Sequence, residues 1–296
     1  MISWELKKKI YPYLLMVPAL LILLLFIFYP IIKTIQLSFL HYVLYEPYNR
    51  AFVGLKNFIN TFNNDVFWIS LRNTVIWVGV SLFGQFFLGL FQALVLNRKF
   101  KFRGIIRSVL FLPWAISGFL IAVMWRWMYQ PRIGIINDLL LKLGLIQEQI
   151  PFLSRANTAL LSVVVACIWW GAPFFAIMFL SALQAIPREL YEAASVDGAS
   201  SWQKFWYVTR PFLQPTMVNT SLLRTIWIFN FVDLIYIMTQ GGPFNSSQIL
   251  SSYAYLTAYR SLDFSSASAL AVIAMVVLVV YSIFYLYVTR NVREVY

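Results

Sequence analysis

Glu189, Glu192 and Asp197 place three carboxylates in one short polar stretch, ELYEAASVDGASSWQKFW, of an otherwise apolar chain. Glu189 and Glu192 stand one helical turn apart and share a face. Ala193, Ala194 and Gly198 beside them are small enough to let another surface come close. The chemistry on offer is recognition: Glu192 can make a charge-assisted hydrogen bond to a cationic partner. Pro187 suits the first turn of a helix, where its missing donor is not needed. The helix dipole favours acids in the turns that follow, and RELYEAASV is a good helix former. Asp197-Gly198 ends that helix, Gly198 being free to take the left-handed conformation. Ser200 and Gln203 are spaced as a capping box for a second helix, SWQKFWYVTR, which Pro211 is expected to stop. The stretch 187–211 therefore reads as helix, tight turn, helix. Two uses fit it. One is an amphipathic helix at a membrane surface, with Trp202, Phe205 and Trp206 among the headgroups. The other is a helix that docks into a cleft on a partner protein.

Other reactive types are sparse. Cys167, the single cysteine, lies in an apolar run and reads as a small buried hydrophobe. His41, the single histidine, has no cysteine with which to hold zinc, so no metal site is expected. No Gly-Lys dipeptide occurs, which excludes the G-x-x-x-x-G-K-[ST] phosphate loop. HExxH and Gly-x-Ser-x-Gly are missing too. The chain is not expected to be an enzyme or to bind a cofactor of its own. The spans also lack a series of ionisable residues fit for a proton relay.

The elements that position these residues are set by the solvent. The 296-residue chain is 61% hydrophobic and 11% charged, against about 25% charged in soluble domains. A helix needs about 20 mostly apolar residues to cross a bilayer. Six segments qualify, near 11–32, 71–96, 106–128, 160–183, 216–238 and 266–288. They do not alternate as barrel strands would, so the fold class expected is an all-α membrane protein with six transmembrane helices in one domain, 1–296. The net charge of +12 is spread between the spans, which argues against nucleic acid as a partner. One side holds thirteen basic residues: Lys7, Lys8, Lys9, Arg98, Lys99, Lys101, Arg103, Arg107, Arg188, Lys204, Arg210, Arg290 and Arg293. The other holds six: Arg50, Lys56, Arg132, Lys142, Arg155 and Arg260. The positive-inside rule puts both termini and the 187–211 loop in the cytoplasm. The first span has no small-x-small cleavage site after it and reads as a retained helix.

EAASVDG, nine residues, then VTRP resembles the EAA loop of ABC-importer permeases, EAA-x3-G-x9-I-x-L-P. Glu192, Ala193, Ala194, Gly198 and Pro211 match in register, while Val208 replaces Ile and Arg210 replaces Leu. The similarity runs along nearly the whole chain. FVGLKNF with LRNTV, then LPWAISGFLIAVMWRWMYQPRIGIIN, IPRELYEAASVDGAS and FVDLIYIMTQGGPFNSS all resemble the first permease of carbohydrate importers of the maltose and glycerol-phosphate type. The resemblance implies a heterodimer with a second permease subunit. It further implies two cytoplasmic ATPase subunits, which bind ATP and Mg, and an extracellular solute-binding protein. Glu192, Ala193, Ala194, Asp197 and Gly198 would then belong to the coupling helix that sits in the ATPase cleft.

Saccharides are held by aromatic stacking and by hydrogen bonds to hydroxyls. In WWGAPFF, Trp170, Gly171 and Phe174 share a helical face; Gly171 leaves room, and Pro173 is a possible kink. In WIFNFVD, Trp227, Asn230 and Asp233 follow at one-turn intervals. By position these two segments resemble those that bind sugar in the maltose-type permease; only Gly171 and Asn230 match in residue type, and the other four are carried by place and chemistry. Each also has a plain structural use, the aromatics in packing and Asn230 in an interhelical hydrogen bond. Arg224 stands nine residues before Asp233, roughly 13 Å along a helix axis and on the opposite face, so the two are not expected to pair. Arg224 either faces the pathway or meets a partner helix, since a charge facing lipid is costly. Gly241, Gly242 and Pro243 form an outer turn that the resemblance places near the docked binding protein. Ala267, Ala271 and Ala274 permit close helix packing. The expected function is half of an ATP-driven import pathway for a carbohydrate, an oligosaccharide in the first instance. Glycerol phosphate or a small polyol, a gradient-driven carrier, and a scaffold without transport are the rivals.

Overall fold

The computed structural model describes residues 4–46 and 48–293, with side chains from 11 to 46 and 48 to 290. The side chains of Lys7, Lys8, Lys9 and Arg293 lie outside these. Two compact units divide the described residues: one holds those up to 64 with Ala254–Met275, the other Asp65–Tyr253 with those from Val276 to 293.

In the first unit, α1 (Trp4–Leu23) passes through a π-helical turn, Leu24–Phe28, into α2 (Tyr29–Ser38). The strands β1 (Leu40–His41) and β2 (Ala51–Phe52) pair antiparallel, Leu40 opposite Phe52, before α3 (Lys56–Phe62). Buried Asn57 secures this turn by donating to the Ser38 and Leu40 carbonyls at 2.9 and 2.8 Å. Glu46 accepts from Asn49 and meets the His41 ring at 3.1 Å; these bonds, His41 first, hold its carboxyl below the usual range.

The second unit contains α4 (Asp65–Asn97), α5 (Arg103–Ala115), α6 (Gly118–Met128), α7 (Ile135–Lys142) and α8 (Ala156–Gln184). They are followed by α9 (Arg188–Val196), α10 (Ser201–Lys204), a π-helical turn Phe205–Thr209, α11 (Arg210–Phe229) and α12 (Val232–Met238). The helices α13 (Leu250–Tyr259) and α14 (Phe264–Arg293) follow, each with residues assigned to both units. Five helical runs among the described residues are long and apolar enough to cross a membrane, and α5 with α6 makes a sixth as a bent pair.

The pair α4 and α8 forms the centre of the second unit. The buried face of α4 reads Ser70, Thr74, Trp77, Ser81, Gln85, Gly89, Ala93 and Leu96, steps of three or four residues. Apart from Trp77 and Leu96 that face is small or polar, whereas Val75, Phe83, Phe87 and Phe91 point outward and are exposed. Lipid inverts the usual helix pattern: hydrocarbon offers no hydrophobic drive between helices, so close packing and hydrogen bonds select the inner face. Gly89 permits the approach; a Cβ there would strike Phe175 and the Ala172 backbone.

Three expectations change. The third span is not one straight helix: α5 and α6 meet at 98°. Pro113 has no donor for the last turn of α5, Ile116 is extended, and the Ser117 hydroxyl caps α6 by accepting from Leu120 N. Pro173 leaves α8 unbroken over Ala156–Gln184. Pro211 does not stop the helix that starts at Ser201. The helix turns π over Phe205–Thr209 and continues into α11 with Pro211 in its first turn, where a missing donor is tolerated. The break comes further on, at Asn230 and Phe231, the latter at φ −84° and ψ 85°.

Candidate functional site

Three places gather the residues with chemistry. The first is the loop 187–211. Pro187 is the extended N-cap of α9 rather than its first helical residue. Ala199 N bonds back to Ala194 O at 2.9 Å across Gly198, whose φ of 74° suits glycine. The capping box forms: Ser200 N donates to Gln203 Oε1 at 2.7 Å, and Gln203 N to Ser200 Oγ at 3.3 Å. Lys204 Nζ reaches Ser195 Oγ at 2.7 Å, fixing α10 against α9. The hydroxyls of Tyr191 and Thr209 lie 2.9 Å apart. Glu192, Ala193, Asp197 and Gly198 are each exposed, while Ala194 is half-buried. Val196, 88% exposed, and Leu190 add apolar area that motif matching passed over. Helical position alone could have flagged them, since both sit on a helix with no buried residue. Trp202, Phe205 and Trp206 pack on one another, and Arg210 covers the Trp206 ring at 4.9 Å.

The second place lies beside the two helix breaks. Trp170 on α8 donates its indole N–H to Ile116 O at 3.1 Å, a carbonyl freed by the α5–α6 bend. Its ring stacks on Phe231, from the α11–α12 break, with centroids 4.6 Å apart and planes 18° apart. Arg224 sits at the centre. Its guanidinium lies 5.1, 5.6 and 5.9 Å from the Trp170, Phe174 and Trp227 rings. Arg224 Nε donates to Gln85 Oε1 at 2.6 Å. Gln85 is oriented in turn by donating to Cys167 O at 2.9 Å. Gly171 makes the room: a Cβ there would collide with the Arg224 guanidinium and the Gln85 amide. Trp170, Arg224, Trp227, Ile228 and Phe231 line a cavity of about 120 Å³.

Trp170, Gly171, Phe174 and Trp227 come together around a cation. Phe174 is 1% exposed, its ring covered by Arg224, Trp227 and Trp114. Asn230 makes a local bond, donating to Ile226 O at 2.9 Å, not an interhelical one. Asp233 is exposed in the first turn of α12, across the break from Arg224. Gln85 and Phe231 were not foreseen. Gln85 is a polar residue in an apolar run, which is a usable signal in a membrane helix.

The third place is the turn after α12. Gly241 is left-handed at φ 83°, and a Cβ on it would overlap Gln248. Gly242-Pro243 is cis. Asn73 on α4 donates to the carbonyls of Asn245, Ser246 and Gln248 at 3.2, 3.0 and 3.0 Å. Ser247 Oγ donates to Thr239 Oγ1 and Gly242 O at 2.8 and 2.7 Å. Arg126, Tyr129, Pro151, Thr239, Gly242 and Pro243 are among the walls of an adjoining cleft of about 340 Å³.

Known proteins share this fold. Residues 85–294 match the family described as binding-protein-dependent transport system inner membrane component. The trehalose/maltose transport system permease protein of Thermococcus litoralis is 35% identical over 282 residues, covering 95% of this chain and 94% of that protein. The sulfoquinovosyl glycerol transport system permease protein of Agrobacterium fabrum is 33% identical, covering 97% and 92%. A chain of a bacterial ABC transporter involved in import of the acidic polysaccharide alginate superposes with a TM-score of 0.85 at 25% identity, covering 97% and 98%. A family match over most of the chain, with relatives above 30% identity along nearly its full length, makes this chain a member of the inner membrane component family of binding-protein-dependent transport systems.

Proposed function

We propose that the chain is the membrane-spanning permease subunit of an ATP-driven saccharide importer and acts as one domain, 1–296. A second permease subunit completes the pathway, two cytoplasmic subunits bind ATP and Mg and hydrolyse the nucleotide, and an extracellular binding protein delivers the sugar. The chain itself makes and breaks no covalent bond. It lies in the cytoplasmic membrane with both termini inside, as the thirteen-to-six split of basic residues supports. The relatives named above carry trehalose, maltose, sulfoquinovosyl glycerol and alginate in their names, so an oligosaccharide or glycoside is the substrate class.

One observation carries the coupling role. Glu192, Ala193, Asp197 and Gly198 form an exposed surface on a helix with no buried residue, yet that helix is bonded through Tyr191 and Thr209 to the foot of the fifth span. A surface that is free outside and fastened inside suits the transfer of motion. Trp170, Gly171, Phe174, Trp227, Asn230 and Asp233 belong to the saccharide pathway, with the aromatic rings as its wall, and Gly241, Gly242 and Pro243 face the binding protein. Glu192→Lys tests the first assignment. The variant should reach the membrane at normal level and lose uptake together with copurification of the ATPase subunits. Unchanged uptake would refute docking at Glu192, and uptake by this chain alone without ATP would favour a gradient-driven carrier.

A further inference from the structure

We infer that Arg224 selects saccharides bearing an anionic group, a carboxylate, sulfonate or phosphate, which its free Nη2 holds inside the aromatic box. The inference rests on the reading of that box as part of the saccharide pathway.

Arg224 is 1% exposed. Among the described residues its hydrogen-bond partner is neutral: Nε donates to Gln85 Oε1, and Nη2, itself buried, has no partner. The three aromatic faces attract the cation through their quadrupoles, but they carry no anion. Nor do the enclosing helices. From Ala156 to Gln184 and from Arg210 to Phe229 no acidic residue occurs, and α4 has only Asp65 at its first position. Gln85 lies twenty residues on, roughly 30 Å along the axis. Asp233 is exposed beyond the Asn230 break, beside Gly118.

A positive charge held in a span without a counter-ion is costly and marks function. Gly171, which has given up its side chain to the guanidinium, and Gln85, which Cys167 O aims at Nε, build the site around that cost. The cavity of about 120 Å³ touches Arg224 and the rings of Trp170, Trp227 and Phe231. Whole-ligand sites take roughly 300–1,000 Å³, so this one fits a charged substituent and one ring edge rather than an entire oligosaccharide. An anion there completes the hydrogen bonding of Nη2 and supplies the missing charge, while the adjoining rings stack on the sugar.

The test is saturation-transfer NMR on the assembled transporter in lipid nanodiscs, with equimolar D-glucuronate and D-glucose, sugars of one shape that differ in charge. Glucuronate should bind about ten-fold more tightly, the gain expected of a charge-assisted hydrogen bond. Arg224→Gln should bring the two sugars level, and Arg224→Lys should keep part of the preference. Should the Gln variant fail to assemble, the wild-type comparison still decides. Equal binding of both sugars would overturn the anion assignment and leave the saccharide pathway standing. Binding of neither would overturn both.

Discussion

The hydroxyls of Tyr191 and Thr209 meet at 2.9 Å, and through them the exposed helix α9 is tied to the base of the fifth span. Thr209 is buried and Tyr191 half-buried, so the bond is shielded from water. Tyr191→Phe and Thr209→Val should each lower uptake about five-fold while the partner ATPase keeps turning over, since a neutral bond contributes about 1 kcal/mol. A double-mutant cycle on uptake per ATP should give a coupling energy of similar size. Additive losses would show that the two hydroxyls act separately.

Gly198 sits at φ 74°, where an L side chain costs about 1–2 kcal/mol. Gly198→Ala should therefore leave membrane insertion intact and weaken capture of the ATPase subunits. Quantitative pulldown from solubilised membranes reads the difference; capture equal to wild type would remove Gly198 from the docking surface.

Gly171→Ala forces a methyl group against Arg224 and Gln85. Overpacking of this kind costs about 1–3 kcal/mol, so the thermal midpoint of the purified transporter should fall by several degrees. Gly171→Ala combined with Gln85→Ala, which frees the space, should recover part of the loss.

Asn73 holds the outer turn through three carbonyls. Asn73→Ala should cost about 1–3 kcal/mol in unsatisfied groups. The visible effect should be faster protease cleavage around the exposed Phe244, with the spans still folded by circular dichroism.

The parts of this fold that chemistry imposes locally were readable from the sequence. Gly198 appears where a helix must end, and Ser200 with Gln203 forms the capping box that their spacing requires. The apolar runs and the motif order led to a family that the comparisons bear out. The breaks were not readable. Hydropathy over LPWAISGFLIAV is continuous, yet Ile116 turns extended and Ser117 restarts the helix at 98°. Pro211 looked like a stop because nothing local announces a π-turn that absorbs it. The cover of Phe174 was not readable either, because the residue over its ring, Arg224, is fifty positions away. Arg224 and Gln85 are 139 positions apart, and no spacing rule reaches that far.

The uninterrupted helix from Ser201 through the π-turn to Phe229 has one mechanical consequence. Twenty-nine residues at 1.5 Å each make a rod of about 43 Å. Helical hydrogen bonding runs on from its foot through the π-turn into α11, so a pull there bears on one continuous element. The first compliant joint it meets is Asn230-Phe231, whose ring lies flat on Trp170. A displacement of that foot would bear on the joint beside the guanidinium.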